Sequence, residues 1–243
     1  MMSITIDYLR KHILELPNTI FNKAIAIYVY GSVARNDADD NSDCDLLICI
    51  EDCELEEFFE LKEAIGDFDK QVYEFAFYQL STLREMHKKG SYFLWHIKKE
   101  AILLYQKDQR FQSLLDTLPK YTGTKDDFDE YYEILLDVEE SLAQDATTIE
   151  YDLSVLATLA RNICIGCCYL LGDADFGRIT PVIKCSDYWK GQFPFSVAEY
   201  NELYDYRLAF VRQKPLYKET ASVCFARIWT KKLKRLLELA GSL

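Results

Sequence analysis

Apolar positions in this chain follow two rhythms, and the change falls near residue 120. Before it, short apolar runs alternate with amphipathic stretches. KAIAIYVYG (23–31) and DCDLLICI (43–50) are rich in β-branched and aromatic residues and bounded by turn formers, which predicts buried strands near 23–30 and 44–50. KQVYEFAFYQL predicts a strand near 70–78, with Tyr73, Phe75 and Phe77 on one face and Val72, Glu74 and Ala76 on the other. Helices are predicted near 3–15, 55–65, 81–100 and 107–118, with AILLY, Ala101 to Tyr105, as a last short strand. After LPKYTGTKDD the helical period takes over, with helices near 125–146, 149–172, 196–212 and 220–240 and a shorter one over PVIKCSDYW (181–189). The segment 149–172 is apolar nearly all round, as in the central helix of a bundle, and Gly172 is placed to end it. The pattern predicts an α/β (α+β) domain over 1–120 and an all-α helical bundle over 121–243.

Two carboxylates interrupt this pattern where the second strand begins. Asp43 and Asp45 lie two apart and so point to one face, while Cys44 and Leu46 point to the other. Like charges ~5 Å apart repel by about 3 kcal/mol at an effective dielectric near 20. A hard divalent cation between them turns that repulsion into attraction, since Mg²⁺ takes one or two carboxylates together with substrate phosphates. The plain alternative is a solvated acidic loop, which NDADDNSD just upstream (36–43) certainly resembles. Ahead of that loop, Gly31 and Ser32 end the first strand and open SVAR, a candidate helical turn whose free N–H groups suit an anion. Arg35 follows one turn on, with a fork that matches phosphate. Phosphate-binding groups on one side and carboxylates on the other are the equipment for a nucleoside triphosphate with its metal.

Gly31-Ser32, a ten-residue gap and then Asp43-Cys44-Asp45-Leu46 resembles the signature of the DNA polymerase β superfamily of nucleotidyltransferases. In detail GSVAR…SDCDLLI is similar to the minimal nucleotidyltransferases and the aminoglycoside adenylyltransferases. The resemblance implies a nucleotidyltransferase domain with a small mixed sheet. In it Gly31, Ser32, Arg35 and Ser42 would hold the triphosphate, and Asp43 and Asp45 would hold Mg²⁺. Cys44 departs from the aliphatic residue usual there but is itself a small hydrophobe. The family also carries a third acidic residue on a later strand, and Glu74 matches it. Glutamate is disfavoured inside strands, so Glu74 is either the solvated side of an edge strand or a partner of Asp43 and Asp45. As a partner it is a general base for the acceptor hydroxyl or a third metal ligand. The helical second half is similar to the C-terminal regions of aminoglycoside adenylyltransferases and to HEPN bundles. Some HEPN proteins are RNases; here Arg161 and Tyr169 fall at their spacing, but Cys167 stands where their histidine would be, which argues against that chemistry.

Composition narrows the acceptor. The chain has 243 residues, 49% hydrophobic and 28% charged, with a net charge of −12, which argues against a nucleic-acid partner. No run reads as a membrane span, and MMSITIDYLRKHILELP reads as an amphipathic helix rather than a signal peptide, so a cytoplasmic location is expected. The eight cysteines, including Cys164, Cys167 and Cys168, read as core thiols, and His12, His87 and His96 as ordinary helix residues. Residues 126–152 hold eleven acids and no basic residue, a solvated helix face or a surface for a cation. In the second case Asp126, Asp127, Glu130 and Glu133 are the candidates, facing a cleft between the domains. The resulting expectation is transfer of AMP from ATP to a hydroxyl of an aminoglycoside-like cationic small molecule. Transfer to a side-chain hydroxyl of a partner protein, such as a toxin, is the alternative, and a non-catalytic antitoxin-like nucleotide-binding module is a third.

Overall fold

The computed structural model describes residues 5–38, 42–66, 68, 73–144, 146–211 and 221–243. The chain divides into two compact units, Met1–Thr122 and Gly123–Leu243.

The first unit opens with α1 (Ile6–His12), whose N-terminus is capped by Thr5 Oγ1 accepting from the Tyr8 N–H at 3.2 Å. The single helix expected over 3–15 is shorter: α1 stops at His12 and a 3₁₀ turn spans Ile13–Glu15. A further short helix, α2 (Asn18–Lys23), starts directly behind Pro17. The sequence pattern hid α2 because it buries a single side chain, Ile20, too few to show a period. There follow β1 (Ala24–Tyr30), α3 (Gly31–Arg35), β2 (Cys44–Ile50), α4 (Leu55–Ala64) and β3 (Tyr73–Gln79). The start of the strand expected from residue 70 lies outside the described residues. The helical stretch 81–100 is two helices, α5 (Leu80–Lys88) and α6 (Tyr92–Glu100), parted at Gly90; β4 (Ile102–Gln106) and α7 (Arg110–Asp116) complete the unit.

The four strands form a mixed sheet in the order β3-β2-β1-β4. β2 and β3 run parallel, joined by α4 as a parallel pair requires, while β1 is antiparallel to both β2 and β4. β2 is covered on both faces. Cys44, Leu46, Ile48 and Ile50 pack with Leu9, Ile13, Ile20 and Leu61, whereas Leu47 and Cys49 pack with Leu80, Leu83, Leu94 and Phe111. Burial of one such leucine or isoleucine contributes ~1.5–3 kcal/mol, which is why DCDLLICI is a continuous apolar run rather than an alternating one. Asp45, on the Leu47 face, is where that run gives way to charge.

The second unit is an all-helical bundle of α8 (Thr124–Gln144), α9 (Ile149–Leu170), α10 (Thr180–Trp189), α11 (Val197–Val211) and α12 (Val223–Ala240). These bounds fall within a few residues of those expected; residues 212 and 220, at two of the expected helix ends, lie outside the described ones. α9 packs against the other four helices. It is long and apolar enough to cross a membrane by length and composition, yet most of it is buried inside the bundle. Gly172, at φ +81°, ends it by letting the Asp173 N–H reach back to Cys168 O at 3.0 Å. Buried Asp152 is tolerated on this helix because Ser141 Oγ and Thr148 Oγ1 donate to it at 3.0 and 2.9 Å. The chain therefore has a mixed-sheet α/β unit followed by a helical bundle.

Candidate active site

β1 ends at Tyr30 and the chain turns at once into α3, a helix of one turn. Gly31 makes the turn at φ +71°, a region that costs an L-residue about 1–2 kcal/mol. A second constraint acts on the same residue. A Cβ on Gly31 would overlap Asp45 Oδ2 and come within 3.2 Å of its Cγ. The carboxylate of Asp45 therefore rests on the bare α-carbon of the turn, and only glycine permits both features.

The sheet register brings the acidic residues together. Asp45 lies opposite Tyr30 on β1 and opposite Glu74 on β3, so it stands between them on neighbouring strands about 4.8 Å apart. Glu74 is exposed on an edge strand and Asp45 is half-buried. Asp43, exposed, precedes β2 by one residue, and Ser42 beside it is half-buried. Burial first, then the charges of Glu74, Asp43 and Glu100, raise the Asp45 carboxyl from 3.8 to about 7 against the opposing charge of Arg35. The same burial, with the charges of Asp45 and Glu74, raises the Tyr30 hydroxyl well above its ordinary value.

Arg35 closes α3, and its side chain is engaged. Its Nε donates to Asp37 Oδ2 at 3.0 Å, and its NH1 donates to both oxygens of Glu100 at 3.1 and 3.0 Å; NH2 takes part in none of these bonds. The contacts with Asp37 and Glu100 outweigh the cost of burial and hold Arg35 above its ordinary pKa. His96 Nε2 lies against Glu100 Oε1. His96 is thus part of the site's surroundings, where the sequence reads only an ordinary helix residue. Tyr30, Glu100 and His96 are the site neighbours that sequence reasoning missed. The parity of β1 and β2 could have suggested Tyr30, whereas nothing in HIKKE marks Glu100 or His96.

The donor set toward any metal is carboxylate oxygen alone, the chemistry a hard divalent cation prefers. Among the described residues no three His, Cys, Asp or Glu side chains converge into a closed cage. Asp45 and Glu74 stand side by side as an acidic pair, and Asp43 adds its charge. The raised Asp45 pKa reflects burial first and then neighbouring negative charge that Arg35 only partly offsets.

The four candidate acids on α8 belong to the second unit. Asp126, Glu130 and Glu133 are exposed and Asp127 is half-buried. Cys164, Cys167 and Cys168 are buried free thiols, with Cys168 Sγ 4.0 Å from Cys185 Sγ. Arg161 donates from Nε to Gly177 O at 2.9 Å and from NH2 to Phe176 O, which ties down the loop after α9.

Residues 15–110, which hold β1 to β4 and every acid just described in the first unit, match the family Polymerase beta, Nucleotidyltransferase. No curated protein matches the chain by sequence. Among solved structures, the spectinomycin adenyltransferase AAD(9) of Enterococcus faecialis, determined with ATP and spectinomycin, shares the fold: TM-score 0.50, 14% identity, covering 95% of this chain and 100% of that one. A toxin–antitoxin structure with AMP-PNP covers 44% of this chain and 82% of its own at 17% identity, with a TM-score of 0.31. The match to the Polymerase beta, Nucleotidyltransferase family thus falls on the residues that set Gly31 under Asp45 and Asp45 beside Glu74.

Proposed function

We propose that the protein transfers AMP from ATP to a hydroxyl of a cationic, aminoglycoside-like small molecule. The observation that carries the reading is the placement of the Asp45 carboxylate on Gly31 and beside Glu74, which joins the phosphate-binding turn to the acidic pair in one site. Likeness over nearly the whole chain to an adenyltransferase solved with ATP and spectinomycin supports the choice of donor and acceptor class.

In this reading Gly31 and Ser32 present backbone N–H groups and a hydroxyl to the triphosphate, with Ser42 at the strand mouth. Arg35 offers its NH2 edge to a phosphate oxygen. Asp43 and Asp45 would hold Mg²⁺, which when bound neutralises charge on the transferring phosphate and the leaving pyrophosphate. Glu74 is the general base. Its exposure on the edge strand leaves it open to an incoming hydroxyl, whose proton it takes as the oxygen attacks the α-phosphorus. The bond from that phosphorus to the pyrophosphate breaks, and AMP stays on the acceptor. Asp126, Asp127, Glu130 and Glu133 supply carboxylates for the acceptor's ammonium groups.

The test is direct. Purified protein is incubated with ATP, Mg²⁺ and a panel of aminoglycosides, and each drug is weighed by mass spectrometry for the gain of one AMP. A gain that depends on Asp45 supports the reading. No gain on any cationic acceptor, or an equal gain with Asp45→Asn, overturns it.

A further inference from the structure

α3 has five residues, and a helix of one turn does not hold itself in water, because forming the first turn fixes several residues for one hydrogen bond. Something outside α3 must fix it. Both of its ends meet the same neighbour, α6. Phe93, His96 and Glu100 are spaced i, i+3 and i+7 and so share one face of that helix. At the start of α3, the Tyr30 ring stands edge-on to Phe93 at 5.9 Å and to His96 at 5.5 Å. At its end, Arg35 NH1 is held by both Glu100 oxygens, and His96 Nε2 lies against Glu100 Oε1.

This arrangement does more than add an ion pair. A largely buried pair is weak evidence for stability, since desolvation offsets most of the attraction; Glu100 is 10% exposed and Arg35 20%. What such a pair does provide is direction. A guanidinium is a rigid planar fork, so fixing Nε on Asp37 and NH1 on Glu100 also fixes where NH2 points. Glu100 is close enough to the acidic pair that its charge acts on Asp45, which places this hold at the edge of the site.

We propose that Glu100, backed by His96, is a positioning residue that aims Arg35 at the triphosphate, and that the Phe93–His96–Glu100 face of α6 is the brace of the nucleotide turn. The proposal rests on the nucleotidyl-transfer reading above. Glu100 touches no substrate and acts through Arg35.

The experiment is a double-mutant cycle on the full chain, read as KM for ATP·Mg²⁺ and kcat separately. Glu100→Gln keeps the shape and removes the charge. It is expected to raise KM for ATP about tenfold, within the range of coupling between touching residues, with little change in kcat. In an Arg35→Ala background the same substitution is expected to add nothing. His96→Gln leaves both charges of the pair in place and serves as the second variant, with an expected rise of about two- to fivefold that also vanishes without Arg35. A brace of purely structural value would lower the Tm and leave KM of the folded protein unchanged, and that result overturns the proposal. So does a KM effect that persists undiminished without Arg35. Calorimetry of the wild-type chain with ATP·Mg²⁺ separates the two readings: binding with unaltered KM in both variants sinks this inference alone, whereas no binding at all sinks the nucleotidyl-transfer reading with it.

Discussion

Replacing Asp45 by asparagine removes one charge from the acidic pair at almost constant shape, so the side chain still fits over Gly31. In the metal-free protein this substitution is expected to stabilise the fold at pH 8. Asp45 is raised from 3.8 to about 7 by burial and by the charges of Glu74 and Asp43. A displacement of that size corresponds to on the order of 4 kcal/mol against the ionised form, and relaxation around asparagine would leave roughly 2–3 kcal/mol of it. Because the folded-state value lies above the unfolded one, the native chain binds the extra proton between about pH 4 and pH 7. Stability is therefore present in full below pH 4 and is lost as the pH rises through 7. The asparagine variant lacks this loss. Its melting temperature should exceed that of wild type by roughly 10 °C at pH 8, and the gap should close toward pH 4. Scanning calorimetry of the two chains in chelator, at pH 4, 5, 6, 7 and 8, reads this directly. Added ATP and Mg²⁺ should reverse the order, since a ligand at about 1,000 times its Kd stabilises wild type by about 4.1 kcal/mol and would do little for the variant. A gap that stays constant from pH 4 to pH 8, or a less stable variant at pH 8, would refute the account of a carboxyl raised by burial and neighbouring negative charge.

Gly31→Ala should destabilise the first unit by about 1–2 kcal/mol from backbone strain alone, and should also abolish transfer because its Cβ displaces the Asp45 carboxylate; a variant with normal turnover would show that the close approach is dispensable. Glu74→Gln should bind ATP·Mg²⁺ as wild type does while turnover falls by about 10²–10⁴-fold, and loss of metal-dependent nucleotide binding in calorimetry would make Glu74 a ligand instead. Changing Asp126, Asp127, Glu130 and Glu133 together to their amides should raise KM for a cationic acceptor without altering ATP affinity, and should flatten the salt dependence of that KM, since exposed charges are screened over ~8–10 Å; an unchanged KM removes these acids from the acceptor site. Arg110→Ala serves as a control: its pairs with Glu51 and Asp108 are largely exposed, so denaturant titration should show a loss below about 1 kcal/mol.

Much of this architecture is determined along the chain, by forces that act between neighbours in sequence. β1 and β2 are legible because a strand covered on both faces must be apolar throughout, and KAIAIYVY and CDLLICI are. The period of two separates Glu74 from Tyr73, Phe75 and Phe77, and the structure shows that separation, with the aromatics packed against one core and Glu74 exposed. The five bundle helices are legible from their apolar period and their caps. α2 is not, since a helix that buries one side chain has no period to read. Nor does the chain by itself reveal which strands are neighbours. Asp45 and Glu74 are 29 residues apart in sequence and meet only because β2 and β3 pair in parallel at that register. Arg35 and Glu100 are 65 apart, and their contact depends on α6 packing across the start and end of a one-turn helix. The raised pKa of Asp45 belongs to the same level, because burial and the sum of nearby charges exist only once the sheet has formed. Local pattern determines which residues form a strand or a helix, since the periods of backbone geometry act over a few residues. Which charges meet is decided by long-range packing, which selects register, and register alone sets a carboxylate on a bare glycine.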